Sequence, residues 1–151
     1  MRRMRNILIL ALSFSLILSA VGGSSAAAQS RKLLEVRLHD YGWEPDMAAL
    51  DLLSNELRSA TGSSGYIIMY GARRGRRGEV RTRMACMKGY MLERRGFRAD
   101  RIIIVHGGFR ENPMMELWIV PQGACPPRPA ATVEPEDVRF LQGRAKYSCE
   151  V

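Results

Sequence analysis

The stretch from Tyr66 to Pro121 restricts the fold most, because its apolar residues change period several times and glycines mark each change. Tyr66-Ile67-Ile68-Met69-Tyr70 is a short run of β-branched and aromatic residues between Gly65 and Gly71, the pattern of a buried strand. Gly71-Ala72-Arg73-Arg74-Gly75-Arg76-Arg77-Gly78 follows, with three glycines free to take unusual backbone angles and four guanidinium groups crowded among them. From Val80 the apolar positions Met84, Met87 and Met91 recur at helical spacing, so one stripe faces a core, and Gly96 stops the helix. Arg101-Ile102-Ile103-Ile104-Val105 is the next strand and Gly107-Gly108 the turn signal after it. Met115 to Val120 is a further strand, ended by Pro121.

The segment before Tyr66 supplies another strand and helix. Leu33-Leu34-Glu35-Val36-Arg37-Leu38 alternates apolar and charged residues from Leu34 on. A helix begins at Pro45 or Asp46, with proline at the first helical position and acids at the positive end of the dipole. Its buried stripe is Met47, Leu50, Leu53, Leu57 and Ala60, and Thr61 to Gly65 ends it. The order strand, helix, strand, helix, strand, strand predicts an α+β two-layer sandwich, with a mixed four-stranded sheet and two helices on one face. Beyond Pro121, residues 122–151 read as a proline-rich linker and a short tail, in which Val138-Arg139-Phe140-Leu141 forms a short edge strand.

The first residues are basic, Ile7 to Val21 is an apolar run, and Ala26-Ala27-Ala28 is a small-residue cleavage pattern, so residues 1–28 are expected to be a secretory signal peptide. About 15 apolar residues fall short of the roughly 20 that a membrane-spanning helix needs. The expectation is therefore an exported chain, periplasmic or extracellular, with no membrane span after cleavage. Without the leader the formal charge falls from +8 to +5, since the leader holds three arginines and no acid. The excess is local: Arg73 to Arg101 holds eleven basic residues against Glu79, Glu93 and Asp100. A positive field over one face attracts anionic partners, while solvated arginines lying along apolar surface are the plainer account of the same residues.

Cys86, Cys125 and Cys149 are an odd set for an oxidising compartment, so at most one intramolecular bridge forms. The expected pair is Cys125 with Cys149, both after the last core strand, where a bridge would tether the tail. Cys86 falls on the helical wheel away from the methionine stripe and is expected on a flank and not in the core.

The order of elements, the strand Tyr66 to Tyr70 before a glycine loop and Arg83 in the second helix resemble the OmpA-like domain of bacterial cell envelopes. So do Gly96-Phe97-Arg98-Ala99-Asp100-Arg101-Ile102, Gly107-Gly108-Phe109-Arg110-Glu111-Asn112-Pro113 and Glu116-Leu117-Trp118-Ile119-Val120. The resemblance covers residues 33–121. It implies a βαβαββ fold and non-covalent binding of peptidoglycan, with ligand contacts from an aspartate just after the second strand and an arginine in the second helix. Arg83 matches that arginine. The loop position of the aspartate holds Arg73 or Arg74 instead, and a guanidinium can only donate hydrogen bonds where the aspartate would accept them from an amine.

Other chemistry lacks its residues. No lysine and hydroxyl follow the glycines as a nucleotide-binding loop requires, and Gly62-Ser63-Ser64-Gly65 precedes a strand where a serine nucleophile sits between strand and helix. His39 and His106 are the only histidines, each at a strand end, without acids or cysteines at metal-ligand spacing. Cys86 has arginines near it in sequence but no histidine to serve as base. The expectation is a non-enzymatic envelope module without cofactor, metal or nucleotide, contacting a cell-wall or other anionic envelope component through Arg73, Arg74, Arg76, Arg77 and Arg83. The alternative is a secreted polyanion binder that uses the arginine-rich loop 71–83.

Overall fold

The computed structural model describes residues 28–38, 43–143, 147 and 149. The expected signal peptide, apart from Ala28, and His39 lie outside these residues. The chain runs β1 (Arg31–Arg37), α1 (Glu44–Ser59), β2 (Ser63–Ala72), β3 (Arg74–Arg76), α2 (Glu79–Gly89), β4 (Ile102–Arg110), β5 (Met114–Pro121) and β6 (Arg139–Leu141). The fold is α+β, with the main sheet in the order β1-β5-β2-β4. β5 pairs antiparallel with both β1 and β2, and β2 pairs parallel with β4, which α2 makes possible by returning the chain to the same end. β5 is thus inserted between β1 and β2, although it directly follows β4 in sequence.

Both helical stripes face the sheet. Leu50, Leu53 and Leu57 of α1 and Met87 and Met91 of the second helix are fully buried against Ile67, Met69, Met115 and Leu117. Burying each of these side chains contributes about 1.5–3 kcal/mol. α1 can lie this close because Gly65 has no side chain: a Cβ there would come within 2.7 Å of Leu57 and 3.3 Å of Leu53. After α2 the chain makes a π turn over Tyr90–Arg94, with the Arg95 N–H donating to Tyr90 O at 3.0 Å, and Gly96 at φ +71° ends the helix where the sequence predicts.

Alternate residues of β2 and β5 face away from the helices. There Glu116 is buried and accepts from Arg110 Nη2 (2.7 Å) and Trp118 Nε1 (3.1 Å), with Lys32 Nζ at 3.2 Å. The ring of Tyr70 on the same face lies 3.7 Å from the Arg110 guanidinium. Its hydroxyl accepts from the Ala130 N–H at 3.0 Å.

Four expectations change. Gly107-Gly108 is not a turn: β4 continues to Arg110 with its register against β2 shifting between Met69 and Gly71, and Gly108 takes φ +92°. A register shift absorbs the glycines that a hairpin would otherwise use. The tail is less a linker than expected, because Ala130 to Val133 docks on the sheet: Thr132 and Val133 donate to Phe109 O, and Val133 is buried. The predicted edge strand near Phe140 forms as β6, and its partner is β3. The disulfide joins Cys86 to Cys149, with Cα atoms 5.6 Å apart, and Cys125 is the free, exposed cysteine. Cys86 is 2 % exposed, against the flank position that the wheel predicts, because the half-buried Cys149, bonded to it, packs against the core on that flank. A wheel registers only what the helix turns toward the sheet.

Candidate functional site

β2 and β4 are parallel, so their C-terminal ends meet at one edge of the molecule, beside the N-terminus of α2. Gly78 at φ +79° turns the chain into that helix, an angle that a residue with a Cβ would adopt only under strain. The three elements enclose an open cleft of about 660 Å³. Its lining is partly apolar, with Leu38, Met69, Val80, Phe109 and Phe140, and partly charged, with Arg74, Arg76, Arg81, Arg83, Glu79 and Glu111. The expected arginine loop is in part a strand: β3 pairs parallel with β6, Arg74 opposite Arg139, which closes one side of the cleft with the tail.

The five arginines expected to form the site separate into three groups. Arg74 and Arg76 line the cleft, Arg74 exposed and Arg76 half-buried. Arg73 and Arg77 do not line the cleft but are held by residues that do: Arg73 Nε donates to Glu111 Oε2 at 2.8 Å, and the Arg77 guanidinium lies 4.5 Å from the centre of the Phe140 ring. Arg83 lines the cleft from beneath and is only 3 % exposed. Its Nε is 3.2 Å from Oδ2 of Asp46, a residue of the first turn of α1 that is itself 1 % exposed.

Over this ion pair lies Tyr147. Its hydroxyl donates to Asp46 Oδ2 at 2.7 Å, its ring centre is 4.5 Å from the Arg83 guanidinium, and its edge meets Trp43 with centroids 5.8 Å apart. Burial raises the Asp46 pKa, and the Tyr147 hydroxyl and Arg83 offset only part of that rise. Burial, and then the neighbouring Asp46 carboxylate, push the Tyr147 phenol well above its ordinary value, so it stays a donor at any physiological pH. His106 also lines the cleft; its Nδ1 accepts from the Gly108 N–H at 3.0 Å, and desolvation lowers its pKa, which favours the neutral ring near pH 7.

Chemically the cleft can hold an anion against guanidinium groups, an apolar body against Phe109 and Phe140, and a cation near Glu79 or Glu111. Among the described residues no three His, Cys, Asp or Glu side chains converge as metal ligands. Nor, among them, is any helix long and apolar enough to cross a membrane.

Sequence reasoning assigns the acids at the start of α1 to the helix dipole, and so misses Asp46 as the partner of Arg83. It also misses Tyr147, Phe140 and Glu111. The signals available were an acid and an arginine that each interrupt a helix beside its apolar stripe, and an aromatic residue two positions from a cysteine. None of these specifies a partner. The sequence matches no protein-family model and no curated protein.

Proposed function

We propose that this protein is a non-enzymatic module of the bacterial cell envelope, exported and of OmpA-like type, whose cleft contacts peptidoglycan. The observation that carries the reading is the cleft itself. It lies where the second strand meets the second helix, and its guanidinium groups suit a carboxylate while its acids suit an amine. A wall stem peptide carries both groups. The aspartate that OmpA-like domains place after the second strand is replaced by arginine here, and Glu111, from the connection between β4 and β5, brings a carboxylate to the same rim. The element order and the mixed sheet support the same reading.

The test is a pull-down of the purified protein with isolated sacculi at low and high salt. Binding that survives high salt and is lost in the Arg74→Ser/Arg76→Ser/Arg81→Ser variant is the expected result. Arg74→Asp is the sharper variant. Position 74 lines the cleft, whereas an aspartate at 73 would face Glu111, so Arg74→Asp should gain affinity for amine-bearing stem peptides.

A second reading has its own observation: the β3–β6 ladder sets Arg139 beside Arg74, with Arg77 and Arg81 also exposed nearby. That row suits an acidic glycan, a lipid head group or nucleic acid. Binding that falls log-linearly with salt, and does not depend on stem-peptide chemistry, selects it over the wall reading.

A further inference from the structure

We propose that the outer edge of β4 is a self-association surface, at which a second copy of this chain adds its own β4 in antiparallel register. It stands whatever the cleft binds.

The main sheet ends in β1 on one side and β4 on the other, and the two edges differ. β1 is guarded by charge, with Arg31, Lys32, Glu35 and Arg37, and its ladder against β5 shifts between Lys32 and Leu34. Charges and irregularities of this kind keep an edge strand from pairing with another chain. The first half of β4 has neither: Ile102-Ile103-Ile104-Val105 is an unbroken β-branched run in regular register with β2. Ile103, Ile104 and Val105 are each half-buried. Successive residues of a strand point to opposite sides of the sheet, Ile104 beside Ile67 toward the helices, Ile103 and Val105 beside Tyr66 and Ile68 on the other side. Partial exposure on both sides at once is what an open lateral edge produces. Among the described residues, no main-chain group outside β2 hydrogen-bonds to residues 102–107.

The chain itself shows that this edge accepts a strand. Farther along it Val133 pairs antiparallel with Phe109, and the Thr132 and Val133 N–H groups donate to Phe109 O at 2.9 and 3.1 Å. Residues 102–106 continue the same line of backbone toward the start of β4. A second copy suits them for two reasons. The run is close to symmetric about Ile104, so an antiparallel pair with its two-fold axis there sets Ile103 of each copy opposite Val105 of the other and Ile104 opposite itself, and β-branched side chains meet on both faces. The run also carries no charge, and Arg101 at its start is occupied by the carbonyls of Leu57, Ala60 and Ser63, so two copies of a basic chain meet there without like-charge repulsion. Such a ladder is short and buries less than the roughly 1,200 Å² of a stable interface, so the dimer forms only at high protein concentration. The cleft lies at the C-terminal ends of β2 and β4, and antiparallel pairing therefore carries the two clefts at opposite ends of the joined sheet, which makes the dimer bivalent.

The experiment measures association of purified Cys125→Ser protein, in which the exposed thiol cannot form an interchain disulfide. Sedimentation velocity across a range of concentrations should show a reversible monomer–dimer equilibrium. Hydrogen exchange on the same samples should show the amides of residues 102–106 better protected at high concentration, with those of β1 unchanged. Val105→Lys places a charge at a half-exposed edge position and should weaken association about tenfold or more with the far-UV circular dichroism unchanged, whereas Val105→Thr, still β-branched, should not. Protein that stays monomeric at every concentration overturns the surface. So does a dimer that survives Val105→Lys, or one whose added protection lies outside β4. If Val105→Lys fails to fold, the exchange pattern of the Cys125→Ser protein decides by itself.

Discussion

Two buried carboxylate–guanidinium pairs occupy opposite sides of the sheet, Glu116–Arg110 on the face away from the helices and Asp46–Arg83 beneath the cleft. Their chemistry is the same and their surroundings are not. Burial opposes the charge on Glu116, but hydrogen bonds from Arg110, Trp118 and Lys32 outweigh it and lower its pKa. Burial dominates at Asp46 and raises its pKa. The donors around Glu116 come from β1, β4 and β5, strands that the sheet holds in register regardless of function. Asp46 relies on one helix and on a tail residue held by a disulfide. A buried pair satisfied within the sheet is fixed by the strand register, whereas the Asp46–Arg83 pair also depends on Tyr147, a residue tethered near it by the Cys86–Cys149 bridge.

The largest effect should come from Asp46→Ala, which leaves the Arg83 guanidinium buried without its carboxylate. Breaking a buried pair from one side costs about 3–5 kcal/mol, to be measured as the loss in urea unfolding free energy. Cys149→Ser should follow at about 2–4 kcal/mol, since the bridge closes a loop with a sequence separation of 63. An effect within ordinary surface variation, about 0.5 kcal/mol, would show that the bridge adds nothing to the stability of the folded domain.

Glu116→Gln should cost about 1.5–3 kcal/mol near pH 7, where three donors lose a charged acceptor. Its sharper signature is in acid. The folded pKa of Glu116 is depressed, so its contribution is present above the ordinary value of 4.5 and is lost as pH falls through the folded value. The variant should lack that part of the acid limb of the melting curve. Asp46 has the opposite sign: its raised pKa means that the folded state takes up a proton first, so protonation just above the ordinary value of 3.8 favours folding. Asp46→Asn should remove that contribution. Matching acid limbs in Glu116→Gln and Asp46→Asn would erase the contrast between the two pairs. Tyr147→Phe should have the smallest effect, about 1 kcal/mol, because the hydroxyl's contacts with Asp46 and Arg83 are lost while ring and disulfide remain.

What the sequence alone determined is what depends on neighbours in the chain. The apolar periods place α1, α2 and the starts of the four strands of the main sheet within a few residues, Gly96 ends the second helix, and Phe140 belongs to a short edge strand, while β3 is read as loop. These are local effects of side-chain direction and backbone freedom, and they suffice for a mixed α+β sandwich. Tertiary structure decided the matters that turn on distance. Cys86 pairs with Cys149 because the fold brings their Cα atoms to 5.6 Å, and no spacing of three cysteines states that. Arg73 and Arg77, indistinguishable in sequence from Arg74 and Arg76, are taken up at the cleft's margin by Glu111 and Phe140, which approach from segments 38 and 63 residues away. Arg83 is buried because Asp46 and Tyr147 converge on it from two other parts of the chain. A charge leaves water only where partners gathered from distant segments replace its hydration, and that gathering exists only in the folded chain.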